Sequence, residues 1–395
     1  MAKSILLISP FPPNQNPRLL KEYHTLKQLG YSVKVIYGER DKWAAHNFAI
    51  NDDFILVGGK INSIVFLFTR ILHKAVFLLK IKEFESNRVS IPLYLKAKSI
   101  KADLYIGHNL PALPIAVNAA KYHKAKCGFD AEDFHRFGNT NNENSRDFLL
   151  AKYLEDKYLP LVDYLSAASP LIAQEYQKLY PFLIPVVINN VFPLSIKVEQ
   201  IQEKKIKNQR LDLFWFSQTV GKNRGLEDVV IALSRLLDLN ITLHILGNAN
   251  EEIKNYLKSF TRKAQIYFHD PIPPDDIFTF ASQFDIGLAL EQNIPFNRDI
   301  CLTNKIFTYL SSGLAIIATE TQAQLQFFKT HSQVGKTYPI GNIQILSEII
   351  MYYYSNLEGL KKAKQASITL ANNELNWEKE KYKLIELVNK ILING

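Results

Sequence analysis

The chain has 395 residues, more than the roughly 250–300 over which a single hydrophobic core keeps growing, so two domains are expected. With 47% hydrophobic and 22% charged residues, 16 glycines and 17 prolines, it is neither disordered, collagen-like nor of low complexity. Lys+Arg 47 against Asp+Glu 38 leaves a net charge of +9, which suits anionic partners such as nucleotides or phospholipid headgroups.

Cys127 and Cys301 lie far apart and outside any CxxC spacing. That argues against a disulfide framework and a thiolate zinc site, and fits a reducing cytoplasm. The start, Met1-Ala2-Lys3-Ser4 and then Ile5-Leu6-Leu7-Ile8, lacks the apolar length and cleavage site of a secretory signal and reads as a first strand.

Short β-branched runs then alternate with helical patterns, as in a parallel sheet with crossover helices. In the first half, strands are expected at 5–8, 33–37, 104–106, 127–129, 164–166 and 186–188. Helices are expected at 17–29, 111–122, 145–158 and 170–180, with Pro17, Pro111 and Pro170 near helix starts, where a missing N–H costs least. Residues 61–81 form the most apolar stretch, but Arg70, His73, Lys74 and Lys80 interrupt it, so it is not expected to span a membrane.

Residues 194–209 are rich in Lys, Glu and Gln without strand periodicity and read as a linker. Beyond it, strands are expected at 213–216, 241–246, 266–268, 286–290 and 316–318, with helices at 225–237, 251–260, 275–283, 304–312 and 324–330. In such sheets ligands bind outside the carboxyl ends of the strands, where loops and helix amino termini converge. The residues to inspect there are 10–18, His108, 130–135, 218–224, Gly247 and 291–305.

The second half carries Ser217-Gln218-Thr219-Val220-Gly221-Lys222-Asn223-Arg224-Gly225, then His244-Ile245-Leu246-Gly247, then Ala289-Leu290-Glu291, then Asn304-Lys305-Ile306-Phe307-Thr308-Tyr309-Leu310-Ser311-Ser312-Gly313. In this order the segments resemble the donor half of family-4 glycosyltransferases, retaining enzymes of the GT-B fold. The first half agrees through Asn16-Pro17-Arg18, Ala102-Asp103-Leu104-Tyr105 with His108, and Asp130-Ala131-Glu132-Asp133, and the tail through Asn376-Trp377-Glu378. The resemblance implies an α/β chain of two doubly wound Rossmann-like domains facing a cleft. An acceptor-binding domain would span 1–193, a linker 194–209, a nucleotide-sugar donor domain 210–370, and a helix at 371–395 would pack back across the cleft.

The residue chemistry agrees with that reading. A nucleotide diphosphate needs cationic, multidentate partners, and Arg224 opens a helix from a loop bounded by glycines. Lys305 adds a second cation at the start of another helix. These two are the expected catalytic residues, stabilising the leaving diphosphate. Gly221, Gly247, Glu291, Asn304 and Thr308 are expected to bind donor, and Arg18, His108, Asp130, Glu132 and Asp133 to serve the acceptor.

The pattern also departs from the family at three places. Thr308 stands where the family has a ribose-binding Glu, Ile300 where it has the preceding Glu, and Glu132 where many relatives have His. No metal is expected: the acidic group at 130–133 is read as binding acceptor hydroxyls rather than Mg²⁺, and the histidines show no HxxxH spacing. No other cofactor is expected, the nucleotide-sugar being a substrate.

The implied function is transfer of a sugar to a glycan or lipid-linked acceptor in bacterial polysaccharide synthesis, by a protein either free in the cytoplasm or peripheral to the inner face of the membrane. An NDP-sugar epimerase and a non-catalytic glycan- or nucleotide-binding relative are the alternatives. Between Lys60 and Lys101, apolar and basic residues interleave at helical spacing. That pattern suits either an anionic bilayer surface or a core-packed helix with a solvated basic side. No nucleic-acid module accompanies the charge, so nucleic acid is not an expected partner.

Overall fold

The computed structural model of the chain describes residues 2–39, 51–196, 210–261 and 264–393. They form two compact units. The first holds the described residues up to Asn189, residues 295–297, and those from Glu380 onward; the second holds 190–294 and 298–379. Most of the linker expected at 194–209 lies outside the described residues.

The sheet of the first unit contains β1 (Ser4–Ser9), β2 (Ser32–Gly38), β3 (Phe54–Val57), β4 (Leu104–His108), β5 (Lys126–Ala131), β6 (Tyr164–Ala167) and β7 (Val186–Val187). All pair in parallel, in the order β3-β2-β1-β4-β5-β6-β7. The central strands are apolar on both faces and buried, for example Ile5 to Ile8 and Leu104 to Ile106, as a sheet covered by helices on both sides requires. Helix starts follow local chemistry. Pro17 and Pro170 open their helices, and Asn16, Ser145 and Ser169 each accept a backbone N–H of the first turn.

The second unit repeats the plan with β8 (Leu211–Thr219), β9 (Ile241–Asn248), β10 (Gln265–His269), β11 (Ile286–Ala289), β12 (Ala315–Thr319) and β13 (Gly335–Tyr338). Their order is β10-β9-β8-β11-β12-β13, again parallel. Leu213, Leu243, Ile245, Ile286, Leu288 and Ile317 build one core with Val229, Val230, Leu346 and Ile350 from flanking helices. In each sheet the strand order reverses beside the first strand, between β1 and β4 and between β8 and β11. Those are the switch points at which open α/β sheets leave a crevice.

Two strands were not legible in the sequence. β3 is four residues long and follows the polar Asn51-Asp52-Asp53, and β13 begins Gly335-Lys336. Both are edge strands paired with β2 and β12; β3 is apolar and strand-prone but short, whereas β13 has little strand propensity of its own. The carboxyl-terminal helix, Trp377–Ile393, passes from the second unit into the first. There Glu380 Oε1 accepts the Asn189 N–H at 2.7 Å, and Tyr31 Oη donates to Asn389 Oδ1 at 2.8 Å.

Candidate functional site

In the second unit the chain leaves β8 through Val220 to Arg224 and turns at Gly225 into the helix Leu226–Ser234. Gly225 has φ +77°, and a Cβ there would lie 2.8 Å from Leu290 Cβ, so the turn requires glycine. Gly247, at the end of β9, has φ +144°, and a Cβ there would come within 2.0 Å of the Ser217 carbonyl. Gly221 faces open space at the corresponding point.

The loop brings Arg224 to the mouth of the switch point between β8 and β11. One concavity there is lined by Arg224, Glu291, Gln292, Arg298 and Lys305, with Trp215 and Leu290 as its apolar floor. Lys305, in the first turn of the helix Asn304–Ser311, reaches Glu291 Oε1 at 2.7 Å and lies 5.7 Å from the centre of the Trp215 ring. Thr303 Oγ1 donates to the same carboxylate oxygen at 3.2 Å. Burial alone would raise the Glu291 pKa, but Lys305, Thr303 and Arg298 outweigh it, and the carboxyl is held below its usual range.

Arg224 has no ion-pair partner among the described residues, and neither has Arg298. Three cations thus share one concavity with a single carboxylate. Such an arrangement holds positive potential ready for an anion with several oxygens. Asn304, expected to bind donor, accepts the Asn190 side-chain amide at 2.8 Å through Oδ1. Thr308 and Ile300 are both buried. Arg298, Trp215 and Gln292 were missed in the sequence. The signal for Arg298 was its place in the 291–303 connection after a strand at the sheet's reversal, where functional side chains concentrate.

In the first unit the expected residues also meet at the strand ends, but they face one another. Asp130 closes β5 and takes a bidentate ion pair from Arg18, Nη2 to Oδ1 at 2.6 Å and Nε to Oδ2, while Ser166 Oγ donates to Oδ1 at 2.5 Å. Arg18 Nη1 donates to the Ile188 carbonyl. His108, at the end of β4, lies 3.4 Å from Glu22, 3.5 Å from Asp130 and 3.5 Å from Glu132. These are charge contacts, longer than good hydrogen bonds. Glu132 also accepts from Asn16 Nδ2 at 2.5 Å, and Asp133 Oδ1 accepts from Asn297 Nδ2 at 2.8 Å.

Arg18, Glu22, His108 and Asp130 are almost fully buried. Burial opposes the charge on His108, but the three carboxylates outweigh it and lift its pKa well above the ordinary imidazole value. Burial likewise opposes the Asp130 carboxylate, and Arg18 with His108 overcomes it, holding the acid far below its usual range. Lys21, buried beside Arg18, is pushed down to about 7 by burial first and by that neighbouring cation second. Glu22, His108 and Asp130 approach closely enough to ligate one metal ion, yet the donor set does not fit one. Arg18 donates to both oxygens of Asp130, and a metal there would have to displace that guanidinium.

No family model matches the chain, and no curated protein matches it. Solved structures do. Sucrose-phosphate synthase from Thermosynechococcus elongatus superposes with a TM-score of 0.75 at 12% identity, over 100% of both chains. HepE from Anabaena in complex with UDP and glucose gives 0.67 at 13% identity, over 98% of this chain and 100% of that one. WaaG, a glycosyltransferase involved in lipopolysaccharide biosynthesis, gives 0.63 at 13% identity over 99% and 100%.

The fold is GT-B. Within a GT-B chain the β8–β11 switch point occupies the carboxyl-terminal domain, and the concavity of Arg224 and Lys305 lies at that point. Among the described residues no helix is long and apolar enough to cross a membrane.

Proposed function

We propose that this GT-B protein is a family-4-type glycosyltransferase that moves a hexosyl group from a nucleoside-diphosphate sugar to a glycan or lipid-linked acceptor, with retention and without a metal, in bacterial polysaccharide synthesis. The observation that carries the reading is the concavity at the β8–β11 switch point, where Arg224, Arg298 and Lys305 converge beside Trp215. A donor bound there exposes its diphosphate to two guanidinium groups and an ammonium. As the bond from the anomeric carbon to the diphosphate oxygen breaks, negative charge grows on that oxygen, and preorganised cations stabilise it more than they stabilise the intact donor. The acceptor hydroxyl attacks from the face the leaving group vacates, and its proton passes to the departing phosphate.

The neighbours' chemistry supports the donor class, since HepE is seen with UDP and glucose. It does not name the base or sugar for this chain. Glu291, held ionised, is positioned for hydroxyl groups of the transferred sugar. In the first unit, Glu132 and Asp133 are the acceptor-facing carboxylates of this reading, and Arg18, His108 and Asp130 act as positioning residues behind them.

The test is thermal unfolding of the wild type and Arg224→Ala against UDP, GDP, ADP and their sugars, with and without EDTA. At about 100 times Kd a donor adds roughly 2.7 kcal/mol of stability. A shift with one nucleotide, kept in EDTA and lost in the variant, is the expected result and selects the donor for acceptor assays. No shift with any nucleotide overturns the reading in favour of a glycan-binding protein. Conversion of the donor without any acceptor would mark an epimerase instead.

A further inference from the structure

β4 ends at His108, and the chain passes through Asn109 into a short turn, Leu110–Ala112, and the helix Leu113–His123. Asn109 stands at φ +67° and ψ 155°. Lys124, which ends that helix, also has a positive φ, but with ψ 41° it occupies the small left-handed well that L-residues can enter. Asn109 lies outside that well. Its region is populated almost only by glycine, because a Cβ there strains the backbone.

The turn explains the backbone conformation and not the side chain. The Asn109 carbonyl accepts the Ala112 N–H at 2.9 Å, and strand and turn are pressed so close that a Cβ on Gly107 would stand 3.0 Å from the Ala112 carbonyl oxygen. Glycine at 109 would make the same turn without strain. An asparagine in a turn commonly hydrogen-bonds its own backbone two residues on. Here neither the Asn109 amide nor its N–H has a hydrogen-bond partner among the described residues.

Its place in the sheet gives that side chain a role. Gly107 pairs with Ile8 of β1, and His108 with Asp130 of β5. Residue 109 is therefore the first beyond β4 where the sheet reverses, at the mouth of the crevice. Below it, His108, Glu22 and Asp130 are enclosed; Asn109 and Glu132, which leaves β5 two residues after Asp130, are partly exposed. An amide offers two donors and an acceptor oxygen, and the free N–H adds a third donor. Neighbouring hydroxyls of a sugar ring, each both donor and acceptor, match that set. An anion, which only accepts, would leave the amide oxygen unanswered.

We propose that Asn109 is an acceptor-binding residue whose amide spans two neighbouring hydroxyls of a hexopyranoside, donating to one oxygen and accepting from the other, and that the strained turn holds it in place. The assignment rests on the transfer reading above and gives its acceptor a chemical class.

The experiment follows stability and transfer together in the full chain, with Asn109→Gly and Asn109→Ala. Asn109→Gly relieves the turn and raises the unfolding midpoint by about 2–4 °C, whereas Asn109→Ala, strained like the wild type, does not raise it. The acceptor probes are the methyl α- and β-glycosides of glucose, galactose and mannose, with the donor selected by thermal shift. At least one of them speeds donor consumption by the wild type above hydrolysis by water. In both variants kcat/KM for that glycoside falls about tenfold through a higher KM, with the donor-induced thermal shift and the hydrolysis by water unchanged. A merely structural asparagine would lose activity only where stability is lost; here the more stable variant is the poorer enzyme. An unraised midpoint in Asn109→Gly, wild-type transfer by either variant, or no acceleration by any of the glycosides overturns the proposal. Absence of a donor shift in the wild type overturns the transfer reading and the proposal with it, whereas a donor shift with unaltered glycoside transfer overturns the proposal alone.

Discussion

Both units gather charge at the carboxyl ends of their central strands, yet the two clusters differ in what the charges face. In the first, Arg18 and His108 are enclosed with Glu22, Asp130 and Glu132, and each charge is answered by a neighbour from the same unit. In the second, Glu291 is answered by Lys305, while Arg224 and Arg298 have no ion-pair partner among the described residues. A cluster closed on itself gives rigidity and fixed protonation states; a cluster with surplus charge of one sign is ready for a ligand. Removing a member of the first should therefore damage folding, and removing a member of the second should damage binding.

The largest expected effect is at the closed cluster. Asp130→Asn removes the bidentate counter-ion of the buried Arg18 guanidinium, leaving only the longer contact to Glu22 at 3.9 Å, and should cost about 3–5 kcal/mol in urea unfolding. A cost below about 1 kcal/mol would mean that the pair is not structural. At the open cluster, Arg224→Ala should change stability by no more than about 0.5 kcal/mol. Transfer, measured as kcat/KM with the selected donor, should fall by about 10²–10³. If stability and activity fall together there, the contrast between the clusters is lost.

A backbone change sharpens the comparison next. Gly247→Ala forces a Cβ against the Ser217 carbonyl at φ +144° and should lower stability by about 1–3 kcal/mol. Its donor-induced thermal shift, compared with the wild type, tells whether the loop after β8 has moved.

The smallest effects are in pH dependence, and their signs are opposite. Asp130 has a depressed pKa in the folded chain, so its contribution is present above about pH 4 and is lost as pH falls through the folded value. His108 has a raised one, so its contribution is complete below about pH 6.5 and is lost as pH rises toward the folded value. His108→Gln should therefore flatten the alkaline limb of the stability profile, where one proton accounts for a slope of at most about 1.4 kcal/mol per pH unit. An unchanged limb in chemical denaturation would show that the imidazole carries no proton in the folded state.

Most of the fold was legible because its causes are local. Pro17 and Pro170 stand where helices begin, and the runs at Ile5 to Ile8 and Ile286 to Ala289 are apolar on both faces, as strands at the centre of a covered sheet must be. β13 was not legible, because Gly335-Lys336-Thr337-Tyr338 has mixed polarity and becomes a strand only beside β12; β3, Phe54-Ile55-Leu56-Val57, is apolar but only four residues long, and it was overlooked. The second unit's site was partly legible. Arg224 and Lys305 follow strands at a sheet reversal, and the spacing alone brings them to one edge. Trp215 looked like one more apolar residue of a strand, and Arg298 like one more charge in a loop, until the chain placed both beside Lys305.

The sequence by itself determined the alternation of strand and helix, the twofold repetition of a doubly wound sheet, and the cationic character of the loop after β8. Periodicity, capping and proline placement act over a few residues, and chain order records them directly. Tertiary structure alone decided which charges neutralise one another and which are left over. Arg18 and Asp130 are 112 positions apart, and nothing in either local sequence says that they will be buried together. It also decided which side of the helix Ile64–Leu78 faces water. A charge or an apolar face acquires its meaning from what lies within a few ångströms and from how much water is excluded, and both are settled only when distant segments pack.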